Sequence, residues 1–172
     1  MKKISFLIIL FIFCIQIKSQ TINDLRNKIH GIISTKNATV GISLKGIEDK
    51  DTLSINGNKN TPLMSVFKFH IACAILNLVD KGKLSLDQKI LVKKSDLYEK
   101  TWSPFRDKYP EGNVEVSLHE LIDYSVAQSD NNICDLLIRL AGGTQAIQKF
   151  MDSKGVKDFQ IKYSEHGMAV NG

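Results

Sequence analysis

The 172-residue sequence predicts an α/β fold whose sheet is incomplete within the chain. Residues 40–44 and 53–55 alternate apolar and polar side chains on either side of the polar stretch Glu48-Asp49-Lys50-Asp51, the pattern of a β-hairpin with one buried face. Residues 65–79 are apolar nearly all round, which marks a helix in the middle of a domain. Further amphipathic helices follow, and a hairpin of two strands is marginal by itself in water.

This length allows one domain with a sizeable core. Hydrophobic residues make up 43% and charged residues 24%, an ordinary globular mixture. The formal net charge is +5, and Lys2, Lys3 and Lys18 supply much of it. The other lysines are scattered among acids, as a solvated surface requires, so nucleic acid is not expected as a partner.

The chain begins as an exported protein would. Lys2 and Lys3 form a positive start, and residues 4–17 are an almost unbroken apolar run, short for a membrane span. Residues 1–19 are therefore expected to be a signal peptide and residues 20–172 a single catalytic domain, with no membrane association after cleavage. Phe13 precedes Cys14 where a lipid-attachment signal wants a small residue, which favours secretion over lipidation. Cys73 and Cys134 lie in apolar helical patterns, so buried free thiols compete with a disulfide between them. His30, His70, His119 and His166 lack metal-ligand spacing, and His70 is expected to be a satisfied core or surface residue. Neither metal nor organic cofactor is expected.

The remaining elements follow in order. Ile22, Leu25, Ile29 and Ile32 recur at helical spacing, predicting a helix over about 21–34. Asn56-Gly57-Asn58 ends the hairpin, and Gly82 stops the central helix. Residues 83–116 read as short segments and loops. Ser117 with Glu120 reads as a capping box opening a helix that ends near Gln128. Ser129-Asp130-Asn131-Asn132 breaks the pattern before a second helix through Ile133, Leu136, Leu137 and Leu140, ended by Gly142-Gly143. Thr144 is placed to cap a third, with Ile147, Phe150 and Met151 inward. Residues 159–163 read as extended, and the chain is expected to finish in a loop.

Two short patterns could carry chemistry. Ser65 and Lys68 are three apart at a helix start, so both side chains project from one face. A serine hydroxyl is a weak nucleophile until a base takes its proton, and a lysine shielded from water can do so. The bland alternative is a helix cap followed by a surface lysine; Lys68 sits among Val66, Phe67, Phe69 and Ile71, where an idle charge is costly. In Ser129-Asp130-Asn131, the serine can relay a proton to a leaving nitrogen, and the asparagine can bond both a lysine and a substrate amide carbonyl. Its alternative is an N-cap cluster.

Ser-x-x-Lys followed at this distance by Ser-Asp-Asn resembles the class A serine β-lactamases, whose signature adds a Lys-Thr-Gly strand. The resemblance covers nearly all of the chain after its first twenty residues and implies the β-lactamase/transpeptidase-like fold in part: the N-terminal helix and hairpin of the sheet plus the all-helical subdomain. It implies β-lactam hydrolysis through a serine acyl-enzyme, conferring antibiotic resistance, by a periplasmic monomer whose partner is the β-lactam itself. Ser65 would be the nucleophile, Lys68 or Glu165 through a water its proton acceptor, Ser129 the proton relay and Asn131 a substrate contact. Trp102, in Thr101-Trp102-Ser103-Pro104, would stand at the mouth of the site as a second substrate contact, or serve as a loop anchor. Glu165 matches the family's glutamate that activates the deacylating water, while Ala169 stands where many members have a polar residue that helps hold this water. No Lys-Thr-Gly triad follows Ser129, so the chain is expected to have little turnover, and nothing evident in the sequence pins Glu165. A penicillin-binding-protein-type acyltransferase and an inactive remnant are the alternatives.

Overall fold

The fold is taken from a computed structural model that describes residues 21–48, 50–59 and 61–171. The expected signal segment and Cys14 lie outside the described residues. These form two compact units divided between Thr61 and Pro62.

The first unit is a helix and a hairpin. Helix α1 (Ile22–Ile33) starts at Thr21, whose hydroxyl accepts the Asp24 N–H while the Asp24 carboxylate accepts the Thr21 N–H. These bonds hold the Asp24 carboxyl below its ordinary pKa. Strands β1 (Ile42–Lys45) and β2 (Thr52–Ile55) pair antiparallel with Ile42 opposite Ile55 and Leu44 opposite Leu53. Leu53 and Ile55 are buried, as alternation requires. Arg26 reaches from α1 to the Ser54 carbonyl at 3.2 Å.

The second unit is built round helix α2 (Phe67–Asp80), which a 3₁₀ turn (Met64–Val66) precedes. Its end is chemically complete. Gly82, at φ +66°, lets its own N–H bond the Val79 carbonyl and the Lys83 N–H bond that of Leu78, a Schellman closure. Ile71 and Ile75 face the core, but Phe69 and Leu76 are exposed, so α2 is buried on one side only. The all-round apolar sequence had predicted cover on every side; the described unit supplies one covered face.

Residues 83–116, expected to be short segments and loops, contain a second ladder. Strand β3 (Lys89–Val92) pairs antiparallel with β4 (Val114–Ser117), Ile90 opposite Val116 and Val92 opposite Val114. The unit is thus not all-helical. Gly112 precedes β4 at φ +56°, and a Cβ there would stand 2.6 Å from the Lys94 backbone nitrogen. Helix α3 (Pro104–Lys108) is capped by Ser103, and α4 (Leu118–Val126) by Ser117, whose hydroxyl accepts the Glu120 N–H. The expected reciprocal half of that box is replaced: the Glu120 carboxylate stands 3.9 Å from Lys108 Nζ.

Helix α5 (Asn131–Leu140) starts at Asp130 and closes through Gly142, at φ +93°. Helix α6 (Thr144–Ser153) has Gly143 as its N-cap, not Thr144, which lies one residue inside. Ile147 and Met151 are buried and Phe150 only partly so. The extended stretch 159–161 is gripped by a side chain instead of a strand: the Gln148 amide donates to the Phe159 carbonyl at 2.9 Å and accepts the Ile161 N–H at 3.1 Å. The last described element, expected to be a loop, is helix α7 (Glu165–Asn171).

The core centres on Ile71 and Ile75 of α2, Phe105 of α3, Leu121 of α4 and Ile133 and Leu137 of α5. Cys73 and Cys134 are free thiols, and burial pushes the Cys134 thiol well above its ordinary pKa. His70 departs from expectation: its ring stacks on Phe159 at 4.5 Å, and its buried Nδ1 has no hydrogen-bond partner. Among the described residues no helix is long and apolar enough to cross a membrane.

Leu137 is fully buried between helices. Leu137→Ala is expected to destabilise the chain by about 2–5 kcal/mol, through lost burial and the cavity left behind. Urea unfolding monitored by circular dichroism reads the shift in midpoint.

Candidate active site

The Ser65 hydroxyl lies in the 3₁₀ turn ahead of α2, exposed to solvent, with Lys68 one turn further on. Lys68 is 2% exposed, and all three of its ammonium protons are used. Nζ donates to Ser65 Oγ at 3.2 Å, to Asn131 Oδ1 at 2.7 Å and to Glu165 Oε1 in a direct ion pair. The structure therefore gathers Ser65, Lys68, Asn131 and Glu165 about one nitrogen.

Ser129 joins them from the turn between α4 and α5. Its backbone is left-handed, at φ +58°, a conformation that non-glycine residues seldom adopt. From there its hydroxyl donates to Ser65 Oγ at 2.9 Å. The residue ahead of the serine, Met64, is left-handed too, at φ +48°. Both hydroxyls are thus presented by unusual backbone that the surrounding packing must hold.

Asp130 supplies part of that hold. Its buried carboxylate accepts the Ser103 hydroxyl at 2.8 Å and the N–H groups of Phe105 and Ile133 at 2.8 and 2.9 Å. It thereby caps α5 and fastens the start of α3 to the Ser129 turn. The Asn131 N–H bonds the Trp102 carbonyl at 3.1 Å. Trp102 itself is 63% exposed, with its indole N–H on the Gln128 carbonyl at 3.0 Å. It is anchored at one edge and leaves most of its ring open.

Nothing evident in the sequence pins Glu165, and the structure supplies what holds it. It is the first residue of α7, and its N–H donates to Asp135 Oδ1 at 2.6 Å while the His166 N–H donates to Asp135 Oδ2 at 3.0 Å. A carboxylate on the first free amides of a helix satisfies donors that have no partner inside the helix and complements the helix dipole. The His166 ring adds a stack on Tyr98 at 3.9 Å. A cleft of about 580 Å³ opens beside the group, lined among others by Tyr98, Thr101, Asn131, Asp135, Glu165 and Ala169. Ala169 contributes only a methyl group there.

This arrangement can move a proton from a serine hydroxyl through an ammonium to a carboxylate, with a second hydroxyl poised beside the first. Among the described residues no group of three or more His, Cys, Asp or Glu side chains could hold a metal ion.

A sequence model of the β-lactamase enzyme family matches residues 24–171. The chain belongs to that family. It is 38% identical over 167 residues to the β-lactamase VEB-1 of Pseudomonas aeruginosa, a match that takes in 97% of this chain and 56% of that protein. The fold superposes on the crystal structure of the TLA-3 extended-spectrum β-lactamase with a TM-score of 0.83 and 44% identity, covering 87% of this chain and 55% of that one. A class A β-lactamase from Bacteroides cellulosilyticus gives a TM-score of 0.78 at 39% identity, over 86% of this chain and 53% of its own. The chain thus spans about half the length of the relatives it matches.

Within this β-lactamase frame, sequence reasoning missed Asp135, Asn132 and Arg106. Asp135 had a legible signal. It follows Asn131 by one helical turn and interrupts the apolar run between Ile133 and Leu137, where a lone acid must find donors. Asp135→Ala is expected to free the start of α7. Amide hydrogen exchange at Glu165 and His166 should then quicken by about tenfold or more, since buried bonds to a charged acceptor are lost, while exchange in α2 changes little.

Proposed function

We propose that the whole protein hydrolyses β-lactams through a serine acyl-enzyme, working as an exported, periplasmic monomer. The observation that carries this is the buried Lys68 ammonium, shared by Ser65 Oγ, Asn131 Oδ1 and Glu165 Oε1. The relatives' names support the substrate class, and the apolar first segment supports export.

Ser65 Oγ attacks the lactam carbonyl carbon, and its proton passes to the Lys68–Glu165 pair. The ring C–N bond breaks as Ser129 gives its proton to the departing nitrogen; Ser129 regains one from Lys68. Asn131 Nδ2 has a second proton to offer a substrate carbonyl, and the open face of Trp102 walls the entrance. Water then attacks the ester carbonyl, Glu165 takes its proton, and Ser65 leaves with a proton restored. The position of Ser65 at the start of α2 places the helix dipole where oxyanion charge develops.

In the 172 residues no Lys-Thr-Gly triad follows Ser129. In the family the strand that bears this triad gives a second oxyanion amide, and a single such donor is worth about 100- to 1000-fold, so slow acylation is expected from these residues alone. Ala169 offers no polar atom to a water beside Glu165, which favours a long-lived acyl-enzyme and keeps a penicillin-binding-type acyltransferase as the second reading.

The test is intact-mass spectrometry of the chain mixed with a cephalosporin, with peptide mapping of any adduct. One adduct on Ser65 is expected, absent in Ser65→Ala. In Glu165→Gln the adduct should persist about 100-fold longer or more, the usual scale of a general base. Ala169→Asn should shorten its life. An adduct on another residue, or unchanged release from Glu165→Gln, would overturn the assignment.

A further inference from the structure

The shape of loop 98–102 depends on a cation that the mechanism above does not use. Arg106, the third residue of α3, turns its guanidinium back over the loop. Its Nη1 donates to the carbonyl oxygens of Tyr98 at 2.7 Å, Glu99 at 2.8 Å and Thr101 at 2.9 Å, and Nη2 meets Asp107 at 3.1 Å. Three carbonyl dipoles aimed at one point repel each other unless a positive charge stands there. A lysine ammonium brings that charge without the rigid planar fork. On the other side Asn132, almost wholly buried, accepts the Tyr98 N–H at 3.1 Å and donates to the Tyr98 carbonyl at 3.3 Å.

Held in this way, the loop presents the Thr101 hydroxyl to the Asn131 amide, and Asn131 Nδ2 donates to Thr101 Oγ1 at 2.8 Å. The two ends of an amide group are chemically opposite: one donates and one accepts. With Nδ2 fixed on Thr101, Oδ1 must face Lys68 Nζ, 2.7 Å away. A flipped amide would set donor against ammonium.

We propose that Arg106 is a positioning residue of the serine–lysine centre, acting through the Thr101 hydroxyl to orient the Asn131 amide toward Lys68. Its kinetic consequence rests on the acyl-enzyme function proposed above; its geometric content does not. Arg106 touches neither Ser65 nor Lys68.

The test uses the ¹⁵N-labelled 172-residue chain. The Asn131 side-chain amide signals, identified by their loss in Asn131→Asp, are compared in the parent, Arg106→Lys, Thr101→Val and Thr101→Ser. Thr101→Val keeps the backbone carbonyls that Arg106 binds and removes only the hydroxyl. Arg106→Lys and Thr101→Val are both expected to move the Asn131 signals toward solvent-exposed values, while Thr101→Ser retains them. Ser65 acylation by a cephalosporin should slow by about tenfold in each of the first two, the scale of one lost hydrogen bond. The double substitution should be no slower than either, because both cut one chain of contacts. Unchanged Asn131 signals in a folded Arg106→Lys, or effects that multiply in the double variant, would overturn the proposal. If Arg106→Lys fails to fold, equal Asn131 signals in Thr101→Val and Thr101→Ser would overturn it. If the parent is not acylated at Ser65, the proposed function fails, and the amide signals still decide the role of Arg106.

Discussion

The second unit is organised by the burial of one charge. A lysine ammonium taken out of water costs several kcal/mol unless each of its protons finds an acceptor. Lys68 meets that demand with a hydroxyl, an amide oxygen and a carboxylate drawn from residues 65, 131 and 165. Local structure delivers only the first, one helical turn away. The other two require that α5 and α7 be brought against α2, so the placement of helices and the satisfaction of the charge are one problem. The same convergence sets a nucleophile, an ammonium and a carboxylate in a line along which a proton can travel.

Most of that convergence is managed by the first turn and a half of α5. Asp130 ties the turn to Ser103 and Phe105, and Asn131 ties it to Trp102, Thr101 and Lys68. Asn132 ties it to Tyr98, and Asp135 to the start of α7. Polar side chains in four such positions are costly in a buried helix unless all find partners, and a partly satisfied network would be worse than an apolar one. The partners that each of the four finds explain why a helix with a strongly apolar stripe keeps so many polar groups at its start. It also explains how Ser129 can hold a left-handed backbone immediately ahead of it.

The sequence was most legible where structure is local. Helical periodicity marked α1, a long apolar run marked α2, strand alternation marked β1 and β2, and Gly82 and Gly142 marked helix ends because a left-handed residue is needed there. Strands β3 and β4 were missed because Ile90-Leu91-Val92 does not alternate and no hairpin turn joins it to its partner, which lies beyond α3. Cap chemistry pointed to Thr144, but the backbone arriving from the previous closure is left-handed and makes Gly143 the cap. Helix α7 was missed for a non-local reason: its start is satisfied by Asp135, 30 residues earlier in the chain. In the candidate site, Ser65, Lys68, Ser129 and Asn131 could be named from motif chemistry. Of the groups that hold the site together, Asp135 showed itself as a lone acid in an apolar run, whereas Arg106 and Asn132 had no such signal, since their partners are backbone atoms of distant segments.

The buried Lys68–Glu165 contact underwrites the arrangement. A double-mutant cycle in urea unfolding tests it directly, with Lys68→Met, Glu165→Gln and the two combined. Each single change leaves a charge without its partner and is expected to cost about 3 kcal/mol. The combination removes both charges and should cost far less than the sum of the two. Costs that simply add would mean that the two side chains do not depend on each other, and the account of this unit as built around one satisfied charge would be wrong.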